Sequence, residues 1–143
     1  MTQRFRPFRR NETGATLIEF AMLGPVIIMM LIGVVQVAAL TQSYNALRSV
    51  AADTARYAIV EYQKQNSVTD TTVKDFAETL GTGPRYQLTS NLSASVANAT
   101  NQRVDGATEK TLTVTYTPPA VMPIVDWVSP TLTYSRPIFL IDE

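Results

Sequence analysis

The sequence predicts an α+β protein in which a single N-terminal transmembrane helix continues as an amphipathic helix that packs on a small antiparallel sheet. Three observations carry this expectation. Residues 20–40, "FAMLGPVIIMMLIGVVQVAAL", form an apolar run of 21 residues without a charge. Residues 41–63 contain no glycine or proline and place apolar side chains at spacings of three and four. In the C-terminal part, apolar and polar residues alternate in short stretches divided by prolines. The chain of 143 residues thus divides into a basic leader (1–14), a transmembrane helix (15–40), an amphipathic helix (41–64) and a domain of one small helix and a sheet (65–143).

The leader is read from its charge. Residues 1–14 carry Arg4, Arg6, Arg9 and Arg10 against Glu12, a net +3, while the remainder holds eight basic and eleven acidic residues, a net −3. Such an asymmetry orients a membrane protein rather than binding nucleic acid. The positive-inside rule puts the leader in the cytoplasm and the rest across the membrane. The chain has no cysteine and no histidine. Thiol, disulfide and zinc-thiolate chemistry are therefore excluded, as is every triad or general base built on histidine.

As a helix the apolar run spans roughly 30 Å, the thickness of a hydrocarbon core. Its strongly polar member is Gln36. A secretory signal peptide has a shorter apolar stretch, about 7–15 residues. A plain anchor fits the length, but neither reading accounts for Glu19, which opens the run. A carboxylate at the centre of a spanning helix costs about 2.5–3.5 kcal/mol. The cost is lower near the helix start, yet a charge there still marks function. Pro25 removes the hydrogen bond to the Ala21 carbonyl and crowds the preceding turn. It is either a tolerated kink or a flexible point for repacking among other helices.

Glu19 is the fifth residue after Gly14. The segment "GATLIEF", preceded by arginines and followed by an apolar helix, resembles the signal peptide of type IV pilin-like proteins. "GATLIEFAMLGPVIIMMLIGVVQ" resembles more closely the TadE-like family, minor pilins or pseudopilins of the tight-adherence (Flp-type) pilus. The features that carry it are Gly14-Ala15, Glu19-Phe20-Ala21, Pro25 and Gly33. Gln36 stands where that family often has an acidic residue. The resemblance implies cleavage between Gly14 and Ala15 by a prepilin peptidase. It implies an assembly or processing role for Glu19 and Phe20, and export by the tight-adherence machinery alongside other pilin subunits. It further implies a role in pilus biogenesis and surface adhesion. The expected location is the inner (cytoplasmic) membrane, single-pass, with the C-terminal domain periplasmic, or the pilus itself. The alternative is a bitopic envelope protein with an unrelated periplasmic binding domain.

Beyond the membrane, Tyr44, Leu47, Ala51, Ala55, Ala58, Ile59 and Tyr62 make an amphipathic stripe, with Arg48, Asp53, Arg56 and Glu61 mostly off it. The stripe is short and alanine-rich, which favours packing on the chain's own C-terminal domain over a coiled coil. "TVKDFAETLG" predicts a short helix with Val73, Phe76, Ala77 and Leu80 on one face and Gly81 as its stop. Strands are expected where Tyr86 and Leu88, then Leu92, Ala94 and Val96, alternate with polar residues. "KTLTVTYTP" places Leu112, Val114 and Tyr116 opposite four threonines, and "TLTYS" repeats the pattern with Leu132 and Tyr134. Pro118, Pro119, Pro123, Pro130 and Pro137 confine connections and strand edges. Met122, Ile124, Val125 and Trp127 would cap the core, meet a partner subunit or lie on the membrane surface.

No pair of carboxylates, no phosphate-binding glycine loop and no metal-ligand cluster is legible. The two matches to the glycosylation sequon, at Asn91 and Asn98, read as surface loop. The expectation is a non-enzyme, with no catalytic residue, cofactor, metal, nucleic acid or small-molecule substrate.

Overall fold

The computed structural model describes residues 12–66, 68–89, 91–119 and 130–141. The leader arginines, Pro123, and Met122, Ile124, Val125 and Trp127 lie outside the described residues. Helix α1 runs from Glu12 to Gln63, and contacts divide the chain into two units, one up to Val37 and one from Ala38 onward. Among the described residues the second unit, here the head, contains the rest of α1, helix α2 (Asp70–Thr82) and three strands: β1 (Leu92–Asn98), β2 (Ala107–Tyr116) and β3 (Leu132–Ile141). The α+β class is borne out.

The strands form one antiparallel sheet in the order β1-β2-β3. Val114 stands opposite Ala94 on one side and Tyr134 on the other. Side chains alternate across a sheet, so Leu92, Ala94, Leu112, Val114, Tyr116 and Ile138 share the inner face, and all six are buried. Against them α1 lays Leu47, Val50, Ala51, Thr54, Ala55 and Ala58, all buried. The spacing is the helical one expected, with Val50 and Thr54 added to the stripe. Small alanines let the helix sit close to the sheet. Each large apolar side chain removed from water here contributes about 1.5–3 kcal/mol. Thr54 works the other way: its buried Oγ1 has no hydrogen-bond partner among the described residues, a cost of about 1–3 kcal/mol.

Helix α2 departs from the sequence reading at its end. Thr69 caps its start, accepting from the Thr72 N–H at 3.2 Å, and Asp70 complements the helix dipole in the first turn. Gly81 does not stop the helix. It lies inside α2 and is buried, and Gly83 follows as the C-cap. A Cβ at position 81 would fall 2.2 Å from Leu92 Cδ2, so the glycine is where α2 closes on β1. On the exposed side, Tyr57 of α1 stacks on Phe76 of α2 with centroids 4.0 Å apart.

Tyr86 and Leu88 are not in a strand. The Tyr86 N–H donates to the Gly83 carbonyl and the Leu88 N–H to the Gly81 carbonyl, while Gln87 takes φ +52°. The chain therefore turns back after α2, and the apparent alternation there comes from the turn. Tyr86 instead donates its hydroxyl to Asp53 at 2.8 Å, with Arg85 3.2 Å from the same carboxylate oxygen. Burial, and then the bond to Asp53, push the Tyr86 hydroxyl pKa up. Asn91 is exposed in the turn before β1, as expected, whereas Asn98 is the exposed last residue of β1 rather than part of a loop. Strand β3 continues past "TLTYS" to Ile141. Pro137 is accommodated because β3 is an edge strand.

The outer face carries the threonines. Thr113 and Ser135 share a hydrogen bond at 3.0 Å, as do Thr117 and Thr131 at 3.2 Å. At its far end the face closes over Glu109, which is only 2% exposed. The Arg103 guanidinium and its backbone N–H both donate to the Glu109 carboxylate. Those bonds hold the Glu109 pKa below the ordinary carboxylate value, against the opposing effect of burial. A lowered folded-state pKa stabilises the fold above the unfolded value of 4.5. That contribution is lost as the pH falls further, through the folded-state pKa. Thermal unfolding of the full chain in detergent, scanned from neutral to about pH 3, should therefore show an acid limb. Glu109→Gln should be less stable at neutral pH and have a flatter limb. An acid limb of unchanged steepness in the variant refutes the assignment.

Candidate functional site

Among the described residues the unit up to Val37 contains α1 alone, and its apolar side chains face outward. Leu17, Phe20 and Met22 are each more than 70% exposed, and Ile27, Ile28, Met29, Met30 and Leu31 are exposed as well. A helix that is apolar all round is buried in something else. Among the described residues it is the one helix long and apolar enough to cross a membrane, with a mean hydropathy of 2.4.

Gly14 and Ala15 stand in the first turn of α1, which begins at Glu12. The first four N–H groups of a helix have no partner within it, so this turn opens at little cost. A Cβ at Gly14 would meet nothing within 4 Å, and the residue is exposed. Among the described residues nothing in the packing requires glycine there, although glycine in a helix costs about 1 kcal/mol relative to alanine. Gly24 and Gly33 are equally open, which suits close approach by other helices in a membrane.

Glu19 is exposed and makes no ion pair among the described residues. It follows Ala15 by four residues, which places the two positions on one helix face. Phe20, beside it, is 78% exposed. Pro25 lies within α1, where its missing N–H leaves the Ala21 carbonyl without its helical donor. Gln36 is half-buried. Gly14, Ala15, Glu19 and Phe20 thus cluster in the first three turns of one exposed helix. Their chemistry comprises an exposed glycine, a carboxylate and an apolar surface. Among the described residues no three carboxylates come together as metal ligands. Two charged features of the head were not foreseen: the buried Glu109–Arg103 pair and a groove that brings Arg48 to Arg136. Both join residues from different elements, so no local motif announces them.

Residues 14–56 match the family model of TadE-like proteins. The match opens on Gly14, takes in Glu19, Phe20, Pro25 and the whole apolar run, and ends in the buried part of α1. It covers under a third of the chain and leaves α2 and the sheet outside it. No curated protein and no solved structure matches the chain.

Proposed function

We propose that this chain is a membrane-anchored minor pilin or pseudopilin that serves biogenesis of a tight-adherence (Flp-type) pilus and, through it, surface adhesion. The observation that carries the reading is the family match over residues 14–56, which includes Gly14 and Glu19 at the pilin spacing. In this reading the leader stays in the cytoplasm, α1 crosses the inner membrane once and the head is periplasmic. A prepilin peptidase cuts between Gly14 and Ala15, and the partners are other pilin subunits and the export machinery. The role is structural and non-catalytic. A secretion ATPase and a prepilin peptidase encoded beside the chain would separate it from an unrelated envelope protein.

Glu19 is the residue that makes the proposal testable. Cleavage creates an amine on Ala15, one helical turn from the carboxylate. The helix dipole also favours a negative charge near the helix start. Within one chain this is a neutralised pair. Between chains, the same pair fixes the axial register of an incoming subunit, because an unpaired charge in an apolar assembly costs several kcal/mol. Glu19→Ala should spare membrane insertion and cleavage. It should lower co-purification with partner subunits by about tenfold or more, the equivalent of one charge-assisted bond. Glu19→Asp should fall between, since its carboxylate has a shorter reach. Normal co-purification and normal piliation by Glu19→Ala would refute the assembly role.

A further inference from the structure

On the inner face of β3 the apolar row Leu132, Tyr134, Ile138, Leu140 is interrupted by Arg136, which stands opposite Leu112 of the core. Arg136 lines a groove of about 440 Å³ together with Tyr134 and with Asn45, Arg48, Ser49 and Ala52 of α1. Among the described residues no acidic side chain lines it. Among the described residues neither arginine has a carboxylate partner, whereas Arg85 and Arg103 each have one. The Arg48 guanidinium lies 5.8 Å from the centroid of the Tyr134 ring, whose other neighbour is Tyr44 at 6.2 Å. Arg48 therefore leans toward the N-terminal end of its helix, as helical side chains do. An inward charge on an edge strand also deters edge pairing. That role needs Arg136 alone and gives no reason for a second arginine lining the same groove.

The groove's place along α1 identifies what it meets. Arg48 follows Leu40, the last residue of the apolar run, by about 12 Å of helix. The polar layer outside the hydrocarbon is about 5–7 Å deep, and Arg48 leans back toward it. Tyr44, between the two, is where an aromatic residue anchors at the membrane–water boundary. Guanidinium groups bind phosphate through paired N–H donors, and Asn45 and Ser49 add neutral donors at the rim. We propose that the Arg48–Tyr134–Arg136 groove binds the phosphate of an anionic phospholipid headgroup in the leaflet on the head's side. Such a contact ties the head to the bilayer surface and is released when the subunit leaves the membrane. The inference rests on the reading of residues 20–40 as membrane-spanning.

The test uses the full chain in detergent micelles carrying equal amounts of phosphatidylglycerol and phosphatidylcholine, with native mass spectrometry reading which lipid is retained. Each arginine near an anionic lipid contributes about fivefold in affinity. The wild type should favour phosphatidylglycerol on the order of 25-fold. Arg48→Gln and Arg136→Gln should each lose about fivefold of that preference, while Arg56→Gln keeps it. Both arginines are exposed, so thermal unfolding of the variants in plain detergent should match the wild type. Equal retention of the two lipids overturns the proposal, as does an unchanged preference in the double variant. Displacement of the lipid by equimolar inorganic phosphate also overturns it, since the groove would then be a site for a soluble anion. Alkaline extraction of the source membranes reports separately on whether residues 20–40 span the bilayer, so failure of that reading is distinguished from failure of the groove.

Discussion

Replacing Gly14 by valine is expected to abolish removal of the leader, so that the chain accumulates in the membrane at full length. Gly14 is exposed, and a side chain there would meet no other part of the chain. The substitution therefore leaves folding and insertion alone. Two effects then act in the same direction. A branched side chain beside the scissile peptide obstructs a peptidase that must close on the backbone. Valine also lacks the conformational freedom of glycine and fits a helix better by a few tenths of a kcal/mol, so the first turn of α1 opens less readily. Gly14→Ala should cut slowly rather than not at all. Intact mass and N-terminal sequencing of protein from its own membranes measure the outcome. The wild type should begin at Ala15, with the sequence "ATLIEF". A wild-type chain that begins at Met1, or a valine variant cut at the wild-type level, would remove processing from the account.

Blocked cleavage should also reproduce the assembly defect of Glu19→Ala. Without it there is no amine on Ala15 to face the Glu19 carboxylate, and the charge enters the membrane unpaired. The two variants differ in one respect: Gly14→Val retains the leader, whereas Glu19→Ala loses it.

The elements legible in the sequence are those whose burial imposes a period. Leu47, Ala51, Ala55 and Ala58 repeat at helical spacing because one side of α1 is covered. Leu112, Val114 and Tyr116 alternate because one side of β2 is covered. The features not legible depend on a neighbour in another part of the fold. Gly81 has the local look of a helix stop, but its function is set by Leu92 on β1. Tyr86 has the spacing of a strand residue, but its hydroxyl is committed to Asp53, on α1. Glu109 occupies an outward position on β2, where a charge would be solvated, until the loop carrying Arg103 covers it. The N-terminal site was legible as a spacing, and the structure adds that Gly14 meets no other described residue. The groove could not be read at all, since Arg48 and Arg136 meet only when β3 comes alongside α1.

A head deprived of residues 41–63 should not fold. A fragment beginning at Thr69 keeps α2 and the sheet but loses Leu47, Val50, Ala51, Ala55 and Ala58, which are at most 4% exposed. It would present Leu112, Val114 and Tyr116 to water on the central strand. A small sheet covered only by α2 is marginal in water. Leu47→Ala alone should cost about 2–5 kcal/mol, against a total of about 5–15 kcal/mol for a typical domain. Removal of the whole face therefore exceeds what a head of this size has to lose. A fragment beginning at Thr41 retains these residues and should unfold in one cooperative thermal transition followed by circular dichroism. The fragment from Thr69 should show none, and should aggregate or bind a hydrophobic dye as a loosely packed state does. Leu47→Ala in the longer fragment lies between the two, cooperative but with a lower Tm. Equal transitions in the two fragments would mean that the sheet and α2 form a self-sufficient core and that α1 merely rests on it. The burial speaks against this: Ala51, Ala55 and Ala58 are at most 4% exposed and belong to the same core cluster as Leu112, Val114 and Tyr116.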